Sequence, residues 1–253
     1  MKFSVMDRVL WAAGFYSTLA LAVVLLWRGR WRKFPIFTGW LVFLTARTIV
    51  LFLLYQHGSA RWYAHIYWWS LWPDFVFQLG VVAEIARMVL RPTGTWIRDA
   101  RVGFLTAGLA GAVAAALLVC WVAPPAKTWL AAFQIRSNLF TSLVICELFV
   151  VMSITANRLG LGWRNHVMAL GQGLTAWSSI TVLTSSVQTF LGGGHRGLDQ
   201  IRAIAYIAAS IWMGLRLWVA EPERQPLAPE LHKYIVALHQ RVEYDLRRID
   251  ARN

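Results

Sequence analysis

The stretch Val9–Trp27, VLWAAGFYSTLALAVVLLW, runs nineteen residues without a charge and is followed at once by Arg28, Arg30, Arg32 and Lys33. A helix needs about 20 apolar residues to cross the ~30 Å of bilayer hydrocarbon, so this run reads as a membrane span closed by a basic stop. Ala20-Leu21-Ala22 has the small-x-small look of a leader cleavage site, but the apolar run continues through Leu26. That continuation predicts a retained first helix.

Six further runs follow, at 35–57, 62–90, 102–123, 128–155, 166–191 and 203–219. Backbone groups in hydrocarbon must bond within their own segment, and no alternating ten-residue strands are seen, so the runs predict an all-α bundle of about seven transmembrane helices. Composition agrees: of 253 residues 58% are hydrophobic and 15% charged. A soluble domain that apolar would aggregate.

The formal charge of +13 is split into short clusters between apolar runs rather than gathered on one basic domain, which argues against a nucleic-acid partner and for topology signals. The first, third and fifth loops carry Arg28, Arg30, Arg32 and Lys33, then Arg91, Arg98 and Arg101, then Arg158 and Arg164. The tail adds six more basic residues. The other side holds Lys2, Arg8, Arg61, Lys127, Arg196 and Arg202. The asymmetry predicts an outside N-terminus, a cytoplasmic C-terminus and a plasma (inner) membrane location, with membrane lipids as the default partner.

Two units are expected: a transmembrane domain over 1–220, and a cytoplasmic linker with an amphipathic helix over 221–253. Within 229–252, Leu231, Ile235, Leu238, Val242 and Ile249 form an apolar stripe that Asp245 interrupts. That helix suits the inner leaflet, the bundle, or a cytoplasmic or membrane protein partner. Gly108, Ala112 and Ala116, with Gly111 and Ala115 beside them, and Ala205, Ala209, Ser210 and Gly214 are small residues suited to close helix packing.

A charge in mid-bilayer is costly, so intramembrane ionisable residues are where function is sought first. They are Arg47, Asp74, Glu84, Arg87, Arg136 and Glu147. Arg47 lies twelve residues in from one side and Asp74 twelve in from the other, which predicts a mid-membrane pair that Arg136 can join. Glu84 and Arg87 are three apart on one helix and are expected to pair with each other or with Glu147. Trp62, Tyr63, Tyr67, Trp68, Trp69 and Trp72 lead into Pro73 and Asp74. Proline cannot continue the helical bonding, so a kink that frees the Trp69 carbonyl is expected beside the carboxylate. Aromatic faces around a carboxylate suit an organic cation or an apolar ligand, which makes Arg47, Trp69, Trp72, Asp74 and Arg136 the candidate ligand site. The same tryptophans and tyrosines also fit an ordinary aromatic belt.

His57, His65 and His195 match no metal-ligand spacing, and His65 and His166 sit near opposite surfaces, unsuited to haem. Cys120 and Cys146 lie in apolar runs and form no disulfide framework. No lysine lies inside a segment, so a retinal Schiff base is excluded. No phosphate loop, HExxH or Gly-x-Ser-x-Gly motif occurs, so neither cofactor, metal nor catalytic residue is implied.

With Lys33-Phe34-Pro35-Ile36-Phe37 opening the second segment and Leu161-Gly162-Trp163-Arg164-Asn165-His166 opening the sixth, the chain resembles a group of uncharacterised bacterial seven-helix membrane proteins. The resemblance reaches to about Pro222 and implies architecture without an activity. The functional expectation is a non-enzymatic sensor or ligand-binding module acting through partner proteins. An accessory subunit of a larger membrane complex or a small proton-coupled transporter is the alternative.

Overall fold

The computed structural model of the chain describes residues 4–57, 59–90, 98–126, 128–158, 166–192 and 195–220. The linker and amphipathic helix expected over 221–253, and the loops carrying Arg91 and Arg164, lie outside the described residues. Among the described residues the chain is all-helical: α1 (Val5–Trp27), a 3-10 turn (Arg30–Arg32), α2 (Pro35–His57), α3 (Ala60–Trp69), α4 (Leu71–Leu90), α5 (Arg98–Val122), α6 (Trp129–Arg158), α7 (His166–Phe190) and α8 (Arg196–Trp218). Local chemistry sets the ends. Asp7 reaches back to accept the Ser4 N–H at 3.2 Å and holds the start of α1. Gly29, at φ +65°, supplies the left-handed residue that turns the chain after α1. Pro35 opens α2, where its missing N–H costs nothing.

Three helices, Val5–Trp27, Pro35–His57 and the Trp129–Val151 part of α6, are long and apolar enough to cross a membrane. That is fewer than the seven runs read from the sequence. α7 dilutes its apolar content with Ser178, Thr181, Thr184, Ser185 and Gln188, all buried against neighbouring helices rather than facing outward. α4 carries Asp74, Glu84 and Arg87, and α8 carries Asp199, Arg202 and Arg216.

The third apolar run is two helices. α3 stops at Trp69 and α4 starts at Leu71, and the one-turn bonds Ser70 N–H to Ile66 and Asp74 N–H to Ser70 continue on either side of the donor that Pro73 lacks. Pro73 falls in the first turn of α4, the one place where proline is tolerated. Ser70 caps the junction, its N–H reaching the Ile66 carbonyl and its hydroxyl the Tyr67 carbonyl.

α1, α2, α4, α6, α7 and α8 contact one another in that order and close back on α1 as a ring. α5 stands against α6 and α7, and α3 against α2 and α4. α1 and α8 run parallel. Asp7 bonds Gln200 near the start of both, Thr18 meets Tyr206 midway, and the Arg28 guanidinium lies over the Trp218 ring at their ends.

At the basic end of the ring, carrying Arg28–Lys33, Leu25, Phe34, Phe37, Ile85, Leu170, Leu174 and Leu217 pack into the main core. There Arg30 bonds His166 Nδ1 at 3.1 Å, and His166 Nε2 meets the Val219 carbonyl at 3.1 Å. An arginine can only donate, so Nδ1 accepts and Nε2 carries the proton. α4 approaches the start of α2 closely: a Cβ added at Gly80 would stand 2.8 Å from Ile36 Cγ2. Of the small-residue positions, Ala115, Ala209 and Ser210 are buried between helices, whereas Gly108 faces open space.

Candidate functional site

The other half of the ring is not filled. A cavity of about 330 Å³ lies between α1, α2, α4, α6, α7 and α8, at the end that carries Ser4. Its apolar wall includes Trp11, Phe15, Trp40 and Trp177; its polar wall includes Thr18, Thr45, Thr48, Asp74, Gln78, Asn138 and Tyr206.

Among the described residues Asp74 is the one carboxylate on that wall. Its Oδ1 accepts the Trp40 indole N–H at 2.8 Å, and its Oδ2 stands 3.5 Å from Arg47 Nη1. Both members of this ion pair are 14% exposed. The Arg47 guanidinium also lies over the Tyr67 ring, 5.3 Å from its centroid. Tyr67 in turn bonds Gln134 of α6, whose Nε2 donates to the Tyr67 oxygen at 3.0 Å. The cluster therefore ties both halves of the broken helix to α2 and α6. Asp74 sits in the first turn of α4, where the helix dipole favours a negative charge. Arg47 is twelve residues past Pro35, about 18 Å along a 23-residue helix. The pair thus meets at mid-helix, and the break beside it falls at the same level.

The remaining polar groups hold one another. Gln78 Nε2 donates to Asn138 Oδ1 at 3.4 Å, and the Tyr206 and Thr18 hydroxyls are 2.8 Å apart. Thr45 and Thr48 donate to carbonyls one turn back along α2, which leaves their oxygens able to accept. Trp177 meets the Tyr206 ring edge to face at 5.6 Å.

Comparison of the chain with family profiles, with characterised proteins and with solved structures finds no match. The site is therefore read from its own chemistry.

The structure brings Arg47 and Asp74 together as the counting of residues expects, and it separates the other candidates. Arg136 is exposed on α6 and makes no ion pair with Asp74. Trp69 points outward, 66% exposed, and donates its indole N–H to His65 Nε2 at 3.1 Å. Trp72 stacks on Phe133 at 4.5 Å and does not line the cavity. Trp72 is two residues from Asp74 on the same helix and so points to a different face, while Arg136 lies on the side of α6 that borders α4 and α5 away from the cavity.

Glu84 is expected from spacing to pair with Arg87 or Glu147; its hydrogen bonds go to backbone donors of α2, and Arg87 acts on it as a nearby opposite charge. Glu84 is buried, and its two oxygens accept the backbone N–H groups of Ile36, at 2.9 Å, and Phe37, at 3.0 Å. It caps the start of α2, satisfying two donors that no helix can satisfy internally. Arg87 is exposed, and Glu147 lies against Gly111 of α5, where an added Cβ would stand 2.5 Å from Oε2.

Sequence reading missed Thr18, Trp40, Gln78, Asn138, Trp177 and Tyr206. Trp40, Gln78 and Tyr206 sit singly in apolar runs, Thr18, Asn138 and Trp177 sit beside other polar residues, and only the ring makes them face one another. Gln78 did carry a signal, since it lies one turn after Asp74 on the same face.

Among the described residues, no three His, Cys, Asp or Glu side chains gather in a metal-binding arrangement.

Proposed function

We propose that the chain is a seven-span membrane receptor or binding protein whose ligand sits in the cavity beside Asp74. The observation that carries this reading is a mid-helix cavity bounded by six helices, with a braced carboxylate on its wall and a broken helix at its edge. Irregular backbone at membrane depth is tolerated where it is buried in protein or lines a cavity.

The wall chemistry narrows the ligand. Asp74 is already neutralised by Arg47, so a second cation there would meet the guanidinium in a medium of low dielectric. A neutral amphiphile suits the site better: a hydroxyl or amide for Asp74, Gln78 and the threonines, and an apolar body against Trp11, Trp40 and Trp177.

Seven crossings accord with the helix lengths, each at least 20 residues once α3 and α4 are taken as one broken span. The charge asymmetry supports an outside N-terminus and a cytoplasmic basic end in the plasma membrane. In that orientation the cavity faces outward. Residues 221–253 would then report ligand occupancy to a cytoplasmic or membrane partner.

Thermal unfolding of the purified chain with 4-phenyl-1-butanol and with 4-phenylbutylamine tests the reading. The alcohol is expected to raise the melting temperature by about 3 °C and the amine by less. Thr45→Phe, which fills the cavity, should abolish the response. An equal response in Thr45→Phe, or a larger one to the amine, would overturn it.

A further inference from the structure

On the outer side of the ring, α4, α5 and α6 enclose a second, mostly apolar space of about 420 Å³. Trp129, Phe133, Arg136 and Phe140 of α6 recur at spacings of four, three and four, so they share one helix face. Phe75 of α4 and Val119 of α5 form its sides. Arg136 is the one charged residue in this lining. Among the described residues it has neither a hydrogen-bond partner nor an ion-pair partner.

An unpaired arginine on a lipid-facing apolar surface is expensive unless its head finds an anion. Arg136 lies seven residues past Trp129, about 10 Å along α6, within snorkelling reach of the headgroup layer. Its guanidinium keeps its charge and offers a fork that matches two phosphate oxygens. Below it, the aromatic rings and Val119 offer an apolar channel of acyl-chain character. Positive head and apolar wall together complement one kind of molecule.

We propose that this groove is a binding site for an anionic phospholipid, its phosphodiester on Arg136 and one acyl chain along Phe133 and Phe140. A zwitterionic lipid has the same phosphate but brings its own cation to the guanidinium, so the site discriminates by headgroup charge. The proposal is independent of the central cavity, from which Arg136 is absent.

The full chain, reconstituted in nanodiscs of mixed phosphatidylglycerol and phosphatidylcholine and then washed with detergent, is examined by native mass spectrometry. The wild type is expected to retain phosphatidylglycerol over phosphatidylcholine by about fivefold. Arg136→Lys should keep most of that preference, and Arg136→Gln should lose it without a change in melting temperature. Ala132→Phe, which blocks the groove, should release both lipids, whereas Thr45→Phe should leave retention unchanged. Should Arg136→Gln not fold, the Arg136→Lys and Ala132→Phe pair decides. The proposal fails if Arg136→Gln retains phosphatidylglycerol like the wild type, or if inorganic phosphate displaces it. It fails equally if Ala132→Phe leaves the amount of bound lipid unchanged.

Discussion

Asp74 is held from three directions: the Trp40 indole on one oxygen, the Arg47 guanidinium on the other, and the first turn of α4 behind it. Removing one member of a buried ion pair leaves the other charge without compensation, which costs about 3 kcal/mol. Asp74→Asn and Arg47→Leu are each expected to lower stability by that order in denaturant unfolding. The double variant should lose clearly less than the sum, because neither charge is then stranded. Additive losses would show that the two side chains are not coupled. This pair was legible in the sequence, since each residue could be counted to mid-membrane from opposite ends. Trp40 was not, because an indole inside an apolar run reads as apolar until its N–H is seen to have a target.

At the scale of elements, two helix starts are built on carboxylates, and in both the acid sits where backbone N–H groups would otherwise lack partners. Glu84 reaches from α4 to the first turn of α2, and the contact fastens together two helices that are remote in sequence. Glu84→Gln keeps one acceptor oxygen of two and loses the charge, so a loss of about 1–2 kcal/mol is expected from thermal unfolding. Arg87→Gln, one turn away but exposed, should stay within about 0.5 kcal/mol. A comparable loss in both would restore the ion pair that the i, i+3 spacing suggests. Spacing within one helix did not show that Glu84 also reaches a neighbouring helix, since nothing in a single sequence gives the register between helices. The interruption beside Asp74 was legible, because Pro73 lacks the donor that would reach the Trp69 carbonyl. Helix extents were read to within a few residues, except at α8, which begins seven residues earlier than the apolar pattern because Asp199 and Arg202 are satisfied by Gln188, Thr184 and Ser185 of α7.

For the whole molecule, the six-helix ring separates two environments. A packed apolar core fills the basic end, and a cavity with hydroxyl, amide and indole groups occupies the other. Apolar content and the runs of sequence gave the helical class, but the closure of α8 against α1 and the cavity it creates are properties of packing. Polar residues of α7 turn inward while the ring presents an apolar exterior, with Leu183 and Phe190 among its exposed side chains. Whether the space beside Asp74 holds a ligand is decided by a density map of the full chain, extracted with its native lipids into nanodiscs. Arg47 and Asp74 are expected in contact, with density for a small amphiphile between Trp40, Thr45 and Trp177. A ring closed by protein side chains at that level, with the pair apart and the space gone, would contradict it.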